Sequence, residues 1–203
     1  MTDWNELVDE ETLRNTVKAL GQNGIEAVVA ENGEEAKRLA LGFIPEGSEV
    51  MTMSSVTLDT IGLTSQINES GKYNSIRKRL MTLDVKTQWA ERQKLGAAPD
   101  YVVGSVQAVT TDGKVIIVSN SGSQLPAYAS GATHVVWVVG TNKIVPDLDT
   151  GLKRIYEHTL PLENERALKV YGVSSNVSKI LIINKETKPK RITIILVKEK
   201  LGF

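Results

Sequence analysis

The chain has 203 residues, 41% of them hydrophobic and 24% charged, a length and balance that suit one globular domain with a proper core. Its 24 basic residues offset its 24 acidic ones, which leaves no electrostatic footprint for nucleic acid or an anionic membrane surface. Cysteine is absent, so disulfides, thiolate zinc sites, iron–sulfur ligation by this chain and a Cys nucleophile are excluded. His134 and His158 are the only histidines, too few for a His-rich metal site. The start, MTDWNELVDEE, lacks the basic and apolar regions of a signal peptide. The longest apolar run, Val135 to Val139, is too short to span a bilayer. Cytoplasm is therefore the expected location, with no membrane partner.

Leu13, Val17 and Leu20 recur at helical spacing, and Gly21 and Gly24 close that segment. Ile25 to Ala30 reads as a strand. Asn32 caps a helix with Glu35 three residues on, a capping box, and Ala36, Leu39 and Ala40 form its buried face. Past the turn Pro45-Glu46-Gly47 comes a second strand, Glu49 to Met53. Strand, helix and strand at short spacing argue for parallel pairing with crossover helices. A helix from Thr57 to Gly71 carries Leu58, Ile61 and Ile67. Another helical region, Asn74 to Leu95, breaks near Thr82 to Asp84. A third strand starts at Tyr101. The runs Val106–Thr111 and Lys114–Val118 flank Asp112-Gly113, which predicts a hairpin with a type I′ turn. A short helix follows near Leu125 to Ser130, and His134 to Val139 is apolar enough for a strand covered on both faces. Helices start at Pro146, running to His158, and at Pro161, running to about Tyr171. Lys179 to Asn184 and Arg191 to Lys198 are expected to pair as a final hairpin across Lys185 to Lys190. The fold class expected is α/β: a three-layer, mostly parallel sheet with helices on both faces and antiparallel hairpin additions. No repeat or linker divides residues 1–203, which are expected to form a single domain.

Ligands of open α/β sheets bind beyond the carboxyl ends of strands, and three such ends are rich in small polar residues. In Met53 to Thr57, the hydroxyls of Ser54, Ser55 and Thr57 suit an anion; equally, Ser55 or Thr57 caps the next helix. In Val118 to Gln124, the small residues Ser119, Ser121, Gly122 and Ser123 allow close backbone approach to a ligand, with an ordinary surface loop as the alternative. In Gly140 to Lys143, Asn142 and Lys143 stand at the end of the apolar strand, where Lys143 is either a cation over a bound anion or a solvated loop lysine. Gly104, Ser105, Gln107 and Gln124 complete the candidate ligand-binding set. His134 reads as a packed edge residue, His158 as a helix-end cation, and Arg77-Lys78-Arg79 as a solvated face. Asp59 either serves the helix dipole or faces the pocket. No Walker A, dinucleotide fingerprint or Ser-His-Asp constellation is present, and Gly104-Ser105-Val106 lacks the trailing glycine of a nucleophile elbow. No catalytic residue or cofactor is specified by these motifs.

The order of four stretches resembles the LUD (lactate utilisation) domain family: MTMSSVTLDTIGL from Met51, DYVVGSVQAVTTDG from Asp100, SNSGSQL from Ser119 and VGTNKIVPD from Val139. The resemblance covers nearly the whole chain. It implies a fold similar to the NagB/RpiA/CoA-transferase-like group, whose members bind anionic ligands in strand-end loops. It also implies an accessory or subunit role in oxidation of L-lactate to pyruvate, a small anionic ligand, and a partner protein carrying iron–sulfur clusters. The family supplies no catalytic residue, and a homo-oligomer is compatible with it. Tyr171 to Ile180 holds no cysteine where many relatives carry one, so a redox role tied to those cysteines does not carry over. Gln107 stands where Asn is common, and Gln124 where Arg is frequent; the latter exchange removes a carboxylate clamp. The alternatives are a stand-alone CoA-transferase-like or cyclo-ligase-like enzyme, which lacks an evident catalytic acid because only Asp59, Asp100 and Asp112 lie near the loops, and a non-catalytic sensor.

Overall fold

The computed structural model of the protein describes residues 3–203. Its strands are β1 (Glu26–Ala30), β2 (Glu49–Thr52), β3 (Asn74–Ser75), β4 (Tyr101–Gly104), β5 (Ala108–Thr110), β6 (Val115–Ser119), β7 (His134–Gly140), β8 (Ile144–Val145), β9 (Lys179–Ile183) and β10 (Ile192–Val197). Its helices are α1 (Glu10–Gln22), α2 (Gly33–Gly42), α3 (Val56–Thr60), α4 (Leu63–Glu69), α5 (Ile76–Thr82), α6 (Trp89–Ala97), α7 (Leu148–Arg154) and α8 (Leu160–Tyr171). Six strands form a parallel sheet in the order β1-β10-β7-β4-β2-β3. A second sheet of four strands, β8-β5-β6-β9, is mixed. No helix among the described residues is long and apolar enough to cross a membrane.

The apolar run of β7 is covered on both sides, as its sequence predicts. Val136 and Val138 face a core built with α2, α3 and α4 through Ala36, Ala40, Leu58 and Ile67. Val135, Trp137 and Val139 face the other core, shared with Leu13 and Leu20 of α1, Ile76 of α5 and the inner face of the small sheet. Alternate residues thus serve opposite layers, the period-two rule of a strand. The small sheet is sandwiched: Ala108, Ile116 and Val145 on its outer face pack on Leu148, Leu152 and Ile155 of α7 and the turn after it. The α/β architecture agrees with the sequence reading, and the small sheet is its antiparallel addition.

Caps explain several boundaries. Asn32 accepts a hydrogen bond from the Glu35 N–H at 3.0 Å, while the Glu35 carboxylate accepts from the Glu31 N–H at 2.9 Å, so the box closes one residue earlier than the usual pattern. The helix expected from Thr57 to Gly71 is two helices, because Gly62 takes φ +70° between α3 and α4. The break expected near Thr82 to Asp84 separates α5 from α6. The short helix expected at Leu125 to Ser130 is a single π-turn, Ala127–Gly131, and another π-turn, Ile155–Thr159, joins α7 to α8.

Two expectations are corrected. The Asp112-Gly113 hairpin is not type I′. Only Gly113 has positive φ (+81°), and Thr110 accepts from the Gly113 N–H at 2.8 Å while its own N–H donates to Lys114 at 2.9 Å. This is a three-residue loop ending in a left-handed glycine. The last two strands do not pair with each other. β9 lies antiparallel to β6 at the edge of the small sheet, whereas β10 inserts between β1 and β7. The intervening turn is redirected by Glu186, whose N–H donates to the Asn23 carbonyl at 2.8 Å, and by Arg191. Arg191 is buried, pairs with Glu186 at 2.7 Å and donates to the carbonyls of Ala127, Tyr128 and Ala132.

Candidate functional site

Strands β2, β4 and β7 are neighbours in the parallel sheet, so their carboxyl ends deliver three loops to one place. Opposite them stands the end of β6. Between these loops lies a cavity of about 400 Å³. From the β2 loop it is lined by Ser54, Ser55 and Thr57, and from the β4 loop by Ser105 and Gln107. Ser119, Ser121, Ser123 and Gln124 line it after β6, and Lys143 after β7. The remaining wall comes from α8 and the segment Val173 to Val177, with Arg77 of α5 and Gly202-Phe203 completing it.

Three predicted residues stand elsewhere. Gly104 packs against Tyr128: a Cβ there would collide with the phenol oxygen. Gly122 takes φ +85° in a turn whose N–H donates to Ser119 Oγ at 2.8 Å, and the Lys179 side chain covers it. Asn142 is buried; its Oδ1 accepts from the Leu201 N–H at 3.2 Å, tethering the segment after β10. It borders a separate concavity formed with Asp3, Trp4 and Thr150. These three residues shape the site's surroundings through backbone conformation and tethering.

Both glutamines singled out in the sequence are already engaged. Gln107 Oε1 accepts from the Val118 N–H at 2.9 Å. Gln124 Oε1 accepts from Ser119 Oγ at 2.8 Å, and its Nε2 donates to the Val118 carbonyl at 3.3 Å. Gln107 ties the loop after β4 to β6, and Gln124 folds the loop after β6 back onto the end of its own strand, holding Ser119. Ser55 also caps α3, accepting from the Leu58 N–H at 3.4 Å. Its capping role and its place on the cavity wall therefore coexist.

Lys143 is the chemical centre of the cavity. It is 2% exposed. Its ammonium nitrogen lies 3.1 Å from Thr57 Oγ1 and 3.2 Å from Ser105 Oγ. Thr57 Oγ1 in turn donates to the Leu201 carbonyl at 3.3 Å, so its oxygen is left to accept from Lys143. Among the described residues no carboxylate pairs with this amine. Burial lowers its pKa to about 7, with a further push from the Arg154 guanidinium. Arg154, at the end of α7, is fully buried. Its Nη1 donates to the Gln107 carbonyl at 2.9 Å and to Thr159 Oγ1 at 3.1 Å, while Nε and Nη2 have no partner on the chain. Burial lowers its pKa to about 10. His158 follows in the next turn, and burial together with Arg154 depresses it as well. Two buried cations without a carboxylate between them leave this side of the cavity electropositive.

The other wall carries residues the sequence reading passed over. Arg77 donates to Ser54 Oγ at 2.9 Å. Glu163 and Arg166 of α8 form a bidentate pair, both bonds 2.7 Å, and Arg166 lies 5.4 Å from the Tyr171 ring centre. The i, i+3 spacing of Glu163 and Arg166 was visible, but nothing local shows that this helix face turns to a cavity. Arg77 was read as part of a solvated face, yet its guanidinium reaches back to the β2 loop. Asp59 instead accepts from Thr64 Oγ1 at 2.6 Å, spanning the junction of α3 and α4. His134 stacks on Tyr101 at 4.7 Å, the packed role expected of it. Among the described residues no group of three or more His, Asp or Glu side chains is placed to hold a metal ion.

Comparison with known proteins matches no curated sequence. Among solved structures, a DUF162 family protein from Deinococcus radiodurans is similar over 95% of this chain and 99% of its own, at 12% identity and a TM-score of 0.57. A chain of the tetrameric eIF2B-beta2-delta2 complex from C. thermophilum is similar at 16% identity and a TM-score of 0.35, over 61% of this chain and 47% of its own. The first shares the overall fold. The LUD domain matches residues 13–197, which spans every strand from β1 to β10 and all the loops of the cavity, and the chain therefore belongs to the LUD domain family.

Proposed function

We propose that the protein is a lactate-utilisation protein, acting as an accessory or subunit in oxidation of L-lactate to pyruvate, and that it binds a small anionic ligand in the cavity between the strand-end loops. Membership of the LUD domain family relates it to lactate utilisation in general. The observation that carries the ligand reading is Lys143, a buried amine in the cavity whose polar contacts among the described residues are hydroxyls. An anion arriving there supplies the missing counter-charge and raises the amine's affinity for its proton. The hydroxyls of Ser55 and Ser105 line the same cavity and offer donors to a carboxylate or phosphate. The iron–sulfur partner implied by the family belongs to the same proposal, since this chain carries no cysteine to hold a cluster.

The test is titration calorimetry of the full chain with L-lactate, pyruvate, a CoA ester and a sugar phosphate. At least one anion is expected to bind, and Lys143→Met is expected to weaken it about tenfold or more, the worth of a charge-assisted hydrogen bond. No heat with any of the four sinks the reading. The volume of about 400 Å³ lies in the ~300–1,000 Å³ range of pockets for larger organic ligands and exceeds what a three-carbon acid fills. That favours, as a second reading, a CoA-transferase-like enzyme, for which thioester exchange between a CoA ester and a free acid is the assay.

A further inference from the structure

We infer that Lys143 is a covalent site: its amine condenses reversibly with the carbonyl group of a 2-oxo acid bound in the cavity, forming an imine. This rests on the cavity being the anion site proposed above. The geometry is that of a nucleophilic amine rather than of an ion pair. Lys143 extends from the end of β7 into the cavity and is 2% exposed, and its partners are Thr57 Oγ1 at 3.1 Å and Ser105 Oγ at 3.2 Å. The Thr57 proton is taken by the Leu201 carbonyl, so Thr57 accepts one amine hydrogen and orients the nitrogen. Ser105 is free to donate or accept. It therefore serves the amine in either protonation state and stands beside the carbon that reacts.

The charges around the amine favour its neutral form. Arg154 presses on it from α7, and His158 stands in the following turn, itself depressed by the same neighbours. From the segment after β10, Gly202 packs so closely that a Cβ added there would stand 3.2 Å from Nζ, while Lys200 adds to the charges that depress His158. Glu163, an acidic side chain in the cavity lining, is occupied bidentately by Arg166. Burial brings the lysine's pKa down to about 7, so a substantial fraction is unprotonated at neutral pH, as Schiff-base lysines require.

The step balances without any further reagent. The nitrogen lone pair attacks the carbonyl carbon, the C=O π pair moves to oxygen, and one amine proton passes to that oxygen to give a neutral carbinolamine. A second proton, from solvent, lets that oxygen leave as water while the nitrogen lone pair closes the C=N bond, so that amine, 2-oxo acid and one proton give a protonated imine and water. The new cation replaces the ammonium, and the substrate's carboxylate meets the Ser54–Arg77 pair, in which Ser54 shares the β2 loop with Thr57 and Arg77 reaches it from α5.

The experiment incubates the full chain with pyruvate and sodium cyanoborohydride, which delivers hydride to the imine carbon and fixes a secondary amine, then maps the adduct by peptide mass spectrometry. The expected result is one adduct, on Lys143, absent with L-lactate, which has no carbonyl, and absent from protein unfolded in denaturant and freshly desalted into it. Its rate of formation rises about tenfold per pH unit up to about pH 7 and then levels. Lys143→Arg, and Lys143→Met should the arginine variant fail to fold, abolish it. Calorimetric binding of pyruvate without an adduct overturns the imine and leaves the anion site standing. Neither heat nor adduct overturns both. Adducts spread evenly over surface lysines also overturn it.

Discussion

At the scale of the residue, Lys143 carries two opposed consequences. A buried ammonium without a carboxylate is costly, and the cost depends on pH. The unfolded lysine keeps an ordinary pKa of 10.5, while the folded one lies at about 7. Between those values the unfolded chain binds the proton more tightly, so this group makes stability rise with pH from about 7 to 10.5. Below that window both states are protonated and the full penalty stands, of order 3–5 kcal/mol relative to the alkaline limit. Lys143→Met is therefore expected to be more stable than the parent at pH 6, with the gap closing towards pH 10, measured by urea denaturation at both values. A destabilised variant at pH 6 would show that the lysine's hydroxyl contacts outweigh its desolvation. On the proposed function, the substitution expected to strengthen the fold is also expected to weaken anion binding, the usual opposition between stability and a working site.

Two glycines illustrate how a residue-level reading misassigns cause. Gly104 and Gly122 stand in stretches that invite a ligand explanation, and neither lines the cavity. One makes room for the Tyr128 phenol and the other supplies a left-handed turn. Their small size is required by neighbours distant in sequence or by backbone geometry, and composition does not distinguish those reasons from closeness to a ligand. Lys143 poses the converse problem. A loop lysine reads either as a cation over an anion or as a solvated side chain, and the convergence of α3, the loop after β4 and the segment after β10 is what buries it.

At the scale of the element, the local signals were sound and the pairings were less so. Periodicity and caps identify α1, α2, β1, β2 and β7, because each bears its buried face and its boundary residues within its own segment. The fate of β9 and β10 is not written in that way. Both are apolar runs beside a turn, and the sequence cannot register that Arg191 and Glu186 are anchored to the π-turn and to Asn23. Arg191→Met is expected to cost about 3–5 kcal/mol, because it strands Glu186 as a buried charge and frees three carbonyls; a loss under 1 kcal/mol by urea denaturation would deny the clamp its importance. The hairpin between β5 and β6 offers a second test. A Cβ at Gly113 would stand 2.6–2.8 Å from the backbone of Ala19 and Leu20, and Asn23 Nδ2 donates to the carbonyls of Asp112 and Gly113 at 2.9 and 3.0 Å. Gly113→Ala is expected to destabilise by clearly more than the ~1 kcal/mol of conformational freedom alone, by lifting the hairpin tip from α1, with little change in ligand affinity. Loss of binding at unchanged stability would contradict that division.

At the scale of the whole molecule, the site belongs to neither sheet alone. Parallel strands bring the loops after β2, β4 and β7 together, the small sheet brings Ser119 to Gln124, and α8 closes the far side. The candidate loops were legible because strand ends in α/β folds are where ligands sit. The contribution of α8 was not, since its cavity-facing residues are ordinary helix-surface types. The placement of β10 has a temporal consequence. Among the described residues β1 pairs with β10 alone, and β10 also lies against β7, so one seam of the parallel sheet joins residues 167 positions apart, Glu26 to Thr193. On a ribosome, where synthesis runs at roughly 5–20 residues per second, β1 waits roughly 8–33 seconds with its edge unpaired until residues 192–197 emerge. Throughout that interval α1 and α2, its neighbours in sequence and in the fold, are available to cover its faces, and its open edge is the hazard for mispairing.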